Sequence, residues 1–403
     1  MLYQLVRPVA RFVLRYYYRQ IDLTGLENIP RDAPVILAAN HPTAFIEPCL
    51  LACFQPRTLH FLARGDLYKT SLATAALRAL HILPVYRIQD GGYDKLVRNY
   101  DTFSECHDAL ARNRAIMILA EGRCIHERRL RPLRKGTARI ALGALERHNT
   151  LHEVYVVPVG VNFSAAERWR STVMIRCGKP IRASEYLPAF RVQPATGIRE
   201  LTDRLRTDLE PLVVQVPGKL DDATADLLLD IARNDGDSAP HGLTHTGSAL
   251  DHELDAINTL PDRAGRLLRY GAQLRRYDLR DRDVANRKRI SFPVPALPAA
   301  LLLLPQLPLW ATAEIVALTG PRTIEFYSPV RFAATAVGTL LYLPLLFLLP
   351  WPAKAYLIAS LLTTAWSLRQ VERLVDWRQA YRFRQLSGAC REELRDLRTE
   401  ARL

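Results

Sequence analysis

Between Val35 and Cys177 the chain repeatedly enters short apolar segments rich in β-branched residues: Val35 to Ala39, Leu59 to Ala63, Ala115 to Ala120, Val154 to Val161 and Val173 to Cys177. Such runs, too short for ordinary helices and too uniformly apolar for half-exposed strands, are the mark of strands covered on both faces. Leu67 to Leu80, Asp94 to Asn113, Thr137 to Arg147 and Ile198 to Val214 read as helices around them. Strands alternating with helices predict an α/β fold over residues 21–216, a central mixed or mostly parallel sheet flanked by helices. Chemistry in such sheets gathers just beyond the strand ends. Two places therefore matter most, the residues after Ala39 and those after Ala120.

After Ala39 comes Asn40-His41-Pro42-Thr43-Ala44-Phe45-Ile46-Glu47-Pro48. An imidazole with a carboxylate to orient it is the base of many acyl-transfer sites, and a neutral imidazole with its ordinary pKa of about 6.5 can take a hydroxyl proton near neutrality. Glu47 would then fix the tautomer of His41 and stabilise the imidazolium as it forms. Thr43 and Cys49 are close by, but no Gly-x-Ser-x-Gly elbow exists to activate a nucleophile, so transfer is expected to be direct. Glu121-Gly122-Arg123 follows the third apolar run, and Lys135-Gly136 opens the next helix, whose N-terminal amides favour an anion.

The two ends of the chain differ from this unit. Leu2, Leu5, Val6, Val9, Phe12, Val13, Tyr16 and Tyr17 recur at helical spacing, with Arg7, Arg11, Arg15 and Arg19 as a basic stripe. Residues 1–20 are therefore expected to form an amphipathic helix, suited to a lipid headgroup layer or to packing on its own domain. Residues 217–290 read as a charged helical connector with an exposed loop, Asp235 to Ser248. Residues 291–368 hold two apolar stretches, Phe292 to Leu318 and Phe332 to Pro350, each near the length of a spanning helix. A third run, Tyr356 to Leu368, is too short to span easily. Residues 369–403 read as a basic C-terminal helix. Arginines and lysines on both flanks of the apolar region orient them to the cytoplasm, so the expectation is a cell-membrane protein with its catalytic domain on the cytoplasmic side.

A net charge of +14 draws the protein toward polyanions. No basic and aromatic motif of a nucleic-acid module is present, so an anionic membrane surface is the expected partner and nucleic acid is not. Six cysteines without CxxC spacing imply reduced thiols. His148 with His152, and His241 with His245, have helical ligand spacing, but no third ligand accompanies either pair, and neither a metal nor a cofactor is implied.

Several of these segments recur in the order of a known family. Asn40-His41-Pro42 with Glu47, Leu83-Pro84-Val85-Tyr86-Arg87, Glu121-Gly122-Arg123 followed by Leu133-Arg134-Lys135-Gly136-Thr137, and Val157-Pro158-Val159-Gly160-Val161 resemble its four motifs. Gly25-Leu26-Glu27-Asn28-Ile29-Pro30 is similar to the lead-in to its first strand. The family is that of glycerophosphate and lysophosphatidate acyltransferases, and the resemblance covers roughly Leu23 to Ile181. It implies acyl-CoA or acyl carrier protein as donor, a lysophospholipid as acceptor, and His41 with Glu47 as the catalytic pair. It also implies Arg87, Glu121, Gly122, Arg123 and Lys135 as the residues that hold phosphate and acceptor.

The sequence departs from the family at two points. The usual first motif places four residues between His and Asp; here five lie between His41 and Glu47, and Ile46 takes the four-spaced position. The usual Glu-Gly-Thr-Arg reads Glu121-Gly122-Arg123-Cys124, with the arginine one place early.

Overall fold

The computed structural model describes residues 2–86, 93–216, 222–235, 242–285 and 291–402. They fall into two compact units. The first holds residues 1–213 with the segments Leu243–Gly247 and Thr323–Pro329; the second holds the remainder.

The first unit opens with α1 (Leu2–Tyr17), β1 (Gln20–Thr24), β2 (Val35–Ala39), α2 (Ile46–Phe54), β3 (Leu59–Arg64), α3 (Ser71–Ala79) and β4 (Ile82–Val85). It continues with α4 (Tyr93–Ala111), β5 (Ala115–Leu119), α5 (Gly136–Arg147), β6 (Tyr155–Phe163), β7 (Thr172–Cys177), β8 (Ile181–Arg182), α6 (Leu187–Val192) and α7 (Pro194–Leu209). The sheet runs β4-β3-β5-β2-β6-β7-β1-β9, where β9 is Gly242–Thr244, and β8 pairs with β6. Strands β4, β3, β5, β2 and β6 are parallel, whereas β6 and β7 are antiparallel.

The expected mixed sheet is thus the observed one, and its centre is β2, paired with β5 on one side and β6 on the other. All five β2 residues are buried. Ile36 and Ala38 pack with Ile116, Ile118 and Val156 against Ile140 and Leu145 of α5 and Leu201 and Leu205 of α7. Val35, Leu37 and Ala39, which point the other way by the two-residue period of a strand, are equally shielded.

Four strands are not legible as apolar runs. β1 carries Gln20 and Asp22, both buried. Asp22 accepts hydrogen bonds from Thr244 Oγ1 at 3.0 Å, the Thr246 N–H at 3.1 Å and the Gly247 N–H at 3.0 Å. Part of the expected exposed loop is therefore a sheet strand, fixed by a carboxylate that cannot be buried without partners. β4 contains Pro84 and lies at the sheet edge, where a strand tolerates a missing N–H.

The α1 helix forms as expected, but its apolar residues are divided. Tyr3, Ala10, Val13, Leu14 and Tyr17 are buried, and the Arg11 guanidinium lies 5.6 Å from the centre of the Phe54 ring. Leu5 and Phe12 are 62% and 37% exposed.

The second unit comprises α8 (Asp222–Asp235), α9 (Ser248–Asn258), α10 (Leu260–Arg276), α11 (Asp281–Ala285), α12 (Ala296–Leu303), α13 (Leu307–Thr319), most of α14 (Tyr327–Leu348), α15 (Trp351–Gln385) and α16 (Gly388–Arg402). Asp281, which is buried, accepts from the Tyr270 hydroxyl at 2.9 Å and from Arg398 Nε at 2.8 Å. Where two spanning helices are expected, one stretch among the described residues is long and apolar enough to cross a membrane: Ala296–Thr319, of 24 residues. A 3-10 turn, Leu304–Gln306, divides it; Pro305 in that turn and Pro308 in α13 each stand at the start of a helical segment that needs no amide from them. Gln306 Nε2 donates to Ser360 Oγ at 3.0 Å and Thr364 Oγ1 at 2.8 Å of α15. Glu314, a charge unusual in such a run, is paired with Arg331 Nε at 2.6 Å. The short run Tyr356 to Leu368 is not a separate piece but lies within the 35-residue helix α15.

Candidate active site

The site is built where β2 and β5 end side by side. Asn40, directly after β2, donates from Nδ2 to the Val161 carbonyl at 2.9 Å and accepts the Val161 N–H at 2.7 Å. This pair of hydrogen bonds to β6 fixes the point at which the chain leaves the sheet. His41 follows, 8% exposed. Its own N–H donates to Glu121 Oε2 at 2.9 Å, and Glu121 stands directly after Ala120 at the end of β5.

Glu47 lies in the first turn of α2 with no exposed surface. Its Oε1 is 3.7 Å from His41 Nδ1. The same Oε1 accepts the Thr43 N–H at 2.6 Å, and Oε2 accepts the Thr43 hydroxyl at 2.9 Å. Thr43 Oγ1 in turn accepts the Ile46 N–H at 3.4 Å. Thr43 and Glu47 are thus bonded to each other across the start of α2, much as the two members of a capping box are, with Phe45 and not Thr43 at the cap position itself. This pairing explains the departure from the usual motif. Ile46, at the four-spaced position, is fully buried, and the longer Glu47 side chain reaches back to the imidazole while closing the start of the helix.

His41 Nδ1 is buried without a hydrogen-bond partner, and an approach by about 0.7 Å would bring it to the ~3.0 Å of an N–H···O bond with Glu47. Catalytic hydrogen bonds are often long in an unliganded site and tighten around substrate. The thiols nearby are poor nucleophiles. Burial first, then Cys53 and Glu47, pushes the Cys49 thiol far above its ordinary value; burial, then Glu325 and Glu47, raises that of Cys124.

Glu121 gathers the polar contacts of this loop. Besides the His41 N–H, it accepts the Arg131 N–H at 2.8 Å and Arg131 Nη2 at 2.6 Å. Arg131 also donates to the His41 carbonyl at 3.3 Å and to the Arg123 carbonyl. Arg131 is thus the arginine that the fold brings to the His41 loop, and sequence reasoning missed it. It stands among Arg123, Arg128, Arg129 and Arg134, with nothing in the spacing to single it out. Arg123 itself is exposed, as is Lys135, which precedes α5. Arg87 lies outside the described residues, as does His241. Gly122 has φ +70°, and a Cβ there would sit 2.9 Å from Arg134 Cγ, so the turn after Glu121 requires glycine. His148 pairs with Asp108 at 3.2 Å, and His245 Nδ1 lies 2.7 Å from the Leu23 carbonyl.

Residues 20–162, which contain His41, Glu47, Glu121 and Arg131, match the family model named Acyltransferase. This stretch is an acyltransferase-family domain. Within it the chain is 32% identical over 108 residues to glycerol-3-phosphate O-acyltransferase 1 of Saccharomyces cerevisiae, covering 26% of this chain and 14% of that protein. It is 26% identical over 126 residues to glycerol-3-phosphate O-acyltransferase 2 of the same yeast, covering 31% and 17%. The match therefore spans less than a fifth of either relative. A solved 1-acyl-sn-glycerophosphate (LPA) acyltransferase, PlsC, from Thermotoga maritima superposes with a TM-score of 0.34 at 19% identity, over 49% of this chain and 79% of that one.

Proposed function

We propose that the acyltransferase domain moves a fatty acyl group from acyl-CoA or acyl carrier protein to a hydroxyl of lysophosphatidate or a related glycerophospholipid. The observation that carries this reading is the buried Glu47 carboxylate facing His41 Nδ1, on a loop held by Glu121. With Nδ1 toward Glu47, Nε2 is the nitrogen for chemistry. It takes the proton of the acceptor hydroxyl as that oxygen attacks the thioester carbonyl. The carbon–sulfur bond then breaks, and the imidazolium returns the proton to the leaving thiolate, giving an ester and a free thiol. Glu47 stabilises the positive ring in between.

The acceptor phosphate needs cations that are not already engaged. Arg123 and Lys135, exposed after the end of β5 and just before the start of α5, suit that role, with Arg87 completing the expected set. Arg131 serves instead to hold Glu121 and the His41 loop. Glycerol 3-phosphate is a second acceptor to consider, since both yeast relatives are named for it.

A membrane location is supported by the apolar stretch Ala296–Thr319 and by the exposed Leu5 and Phe12 beside Arg11 and Arg15 on α1. The basic flanks of the apolar region favour the cytoplasmic face.

The test is transfer of a labelled acyl chain by membranes containing the protein, from acyl-CoA or acyl carrier protein, to a panel of lysophosphatidate, glycerol 3-phosphate and phosphate-free lysolipid analogues. Esterification of a phosphate-bearing acceptor is expected. Absence of transfer to every member of the panel refutes the reading.

A further inference from the structure

The segment Thr323–Pro329 lies far beyond the family-matched residues, yet it belongs to the same compact unit as the acyltransferase domain. It meets the catalytic loop directly. The Glu325 carbonyl accepts the Ala44 N–H at 3.1 Å. The Glu325 carboxylate accepts the His126 N–H at 3.4 Å through Oε1. Ser328, which is buried, anchors the segment: its Oγ lies 2.9 Å from the Tyr17 hydroxyl, and its carbonyl accepts from that hydroxyl at 3.2 Å.

Both loops that Glu325 grips also hold His41. Ala44 follows Thr43, whose N–H and hydroxyl bind the two oxygens of Glu47. His126 follows Ile125, whose N–H donates to the His41 carbonyl at 3.4 Å. The carboxylate of Glu325 thus fixes the residue whose carbonyl restrains the Ala44 turn, and one residue, through its carbonyl and its carboxylate, ties the loop after β2 to the loop after β5. The loop between Ala39 and Ile46 has no regular secondary structure, and the Glu325 carbonyl adds the Ala44 N–H to the bonds that Asn40, His41 and Thr43 already make there.

We propose that Thr323–Pro329 is a positioning strap for the acyl-transfer site, with Glu325 setting the turn that presents His41 and Glu47; the proposal rests on the acyl-transfer reading above. Glu325 acts through the backbone of Ala44 and His126, so it is a positioning residue and not a catalytic one. The acyltransferase domain alone, residues 20–162, lacks this element, and its catalytic turn is completed by chain from outside the family-matched stretch.

The experiment compares full-length wild type with Glu325→Ala, Glu325→Gln and Tyr17→Phe in membranes. It measures kcat, KM for donor and acceptor, and hydrogen exchange of the Ala44 amide. Glu325→Ala is expected to lower kcat about tenfold, the rate equivalent of one net hydrogen bond, with both KM values nearly unchanged. Glu325→Gln keeps an acceptor for the His126 N–H and should restore most of the rate; a merely structural loss would not follow that order. Tyr17→Phe releases Ser328 and should lower kcat in the same sense. Ala44 should exchange faster in the alanine and phenylalanine variants. Unchanged kcat in Glu325→Ala, a loss confined to KM, or a glutamine variant as poor as alanine overturns the strap. If the wild type moves no acyl group, the parent reading fails, and the strap stands or falls on the Ala44 exchange alone.

Discussion

Replacing Glu47 by glutamine keeps the shape of the side chain and removes its charge, which isolates what the carboxylate does for His41. Folding should be little affected. Thr43 offers a backbone N–H at 2.6 Å and a hydroxyl at 2.9 Å. An amide can accept the first through its carbonyl and donate to the second once the hydroxyl turns, so the cost is about 1 kcal/mol or less. The rate is another matter. In the proposed reaction His41 becomes positive, and the carboxylate oxygen lies 3.7 Å from its Nδ1. At an effective dielectric of about 20, that attraction is worth about 4–5 kcal/mol. Glutamine forfeits most of it in the transition state, a fall in kcat of about a thousandfold. KM should scarcely change, because the substrate does not meet the buried Glu47. Initial rates of acyl transfer over a range of donor and acceptor concentrations, with thermal unfolding of both proteins in parallel, measure this. A glutamine variant that retains kcat within about fivefold would refute the electrostatic argument and point to another partner for His41.

Arg131→Met removes the side chain that joins Glu121 to the carbonyls of His41 and Arg123, while Glu121 keeps its two backbone donors. The expected loss is about 2–3 kcal/mol of stability in the acyltransferase domain together with a lower kcat, read by thermal unfolding and initial rates; an unchanged unfolding midpoint contradicts it. Gly122→Ala forces a residue with a Cβ to φ +70° against Arg134 and should cost about 1–2 kcal/mol, visible as a lower unfolding midpoint. Stability should also depend on pH. Burial, then His81 and Arg114, holds His60 down to about 4, and burial, then Arg147 and His148, does the same for His107. The unfolded imidazoles titrate near 6.5, so between about pH 6.5 and 4 the unfolded chain binds protons that the native one refuses. Stability is therefore complete above that window and falls as the pH drops through it. His107→Leu should flatten the decline, and an unfolding midpoint that is constant from about pH 7 to 4.5 contradicts the assignment.

The centre of this fold is written plainly in the chain, and its margins are not. β2, β5 and β6 are legible because burial on both faces demands uninterrupted apolar residues. β1 is hidden because Gln20 and Asp22 are satisfied by Thr244, Thr246 and Gly247, partners more than two hundred positions away. Local pattern carries no trace of such pairing. The same distinction runs through the site. His41, Glu47 and Glu121 stand out because they follow apolar runs whose strands finish side by side at the same end of the sheet. Thr43 is visible only as a neighbour, and its part in holding Glu47 emerges from the capping geometry. Arg131 is lost among arginines. Glu325 is beyond any local reading, since only the chain's return to the first unit brings it to Ala44.

The central claim is that His41 is the base of an acyl transfer. The direct measurement is the rate at which membranes carrying wild type or His41→Ala esterify a phosphate-bearing acceptor from labelled acyl-CoA, with equal membrane insertion and unfolding midpoint established for both. The alanine variant is expected to fall to the background of membranes without the protein. A His41→Ala protein that turns over at the wild-type rate would contradict the account.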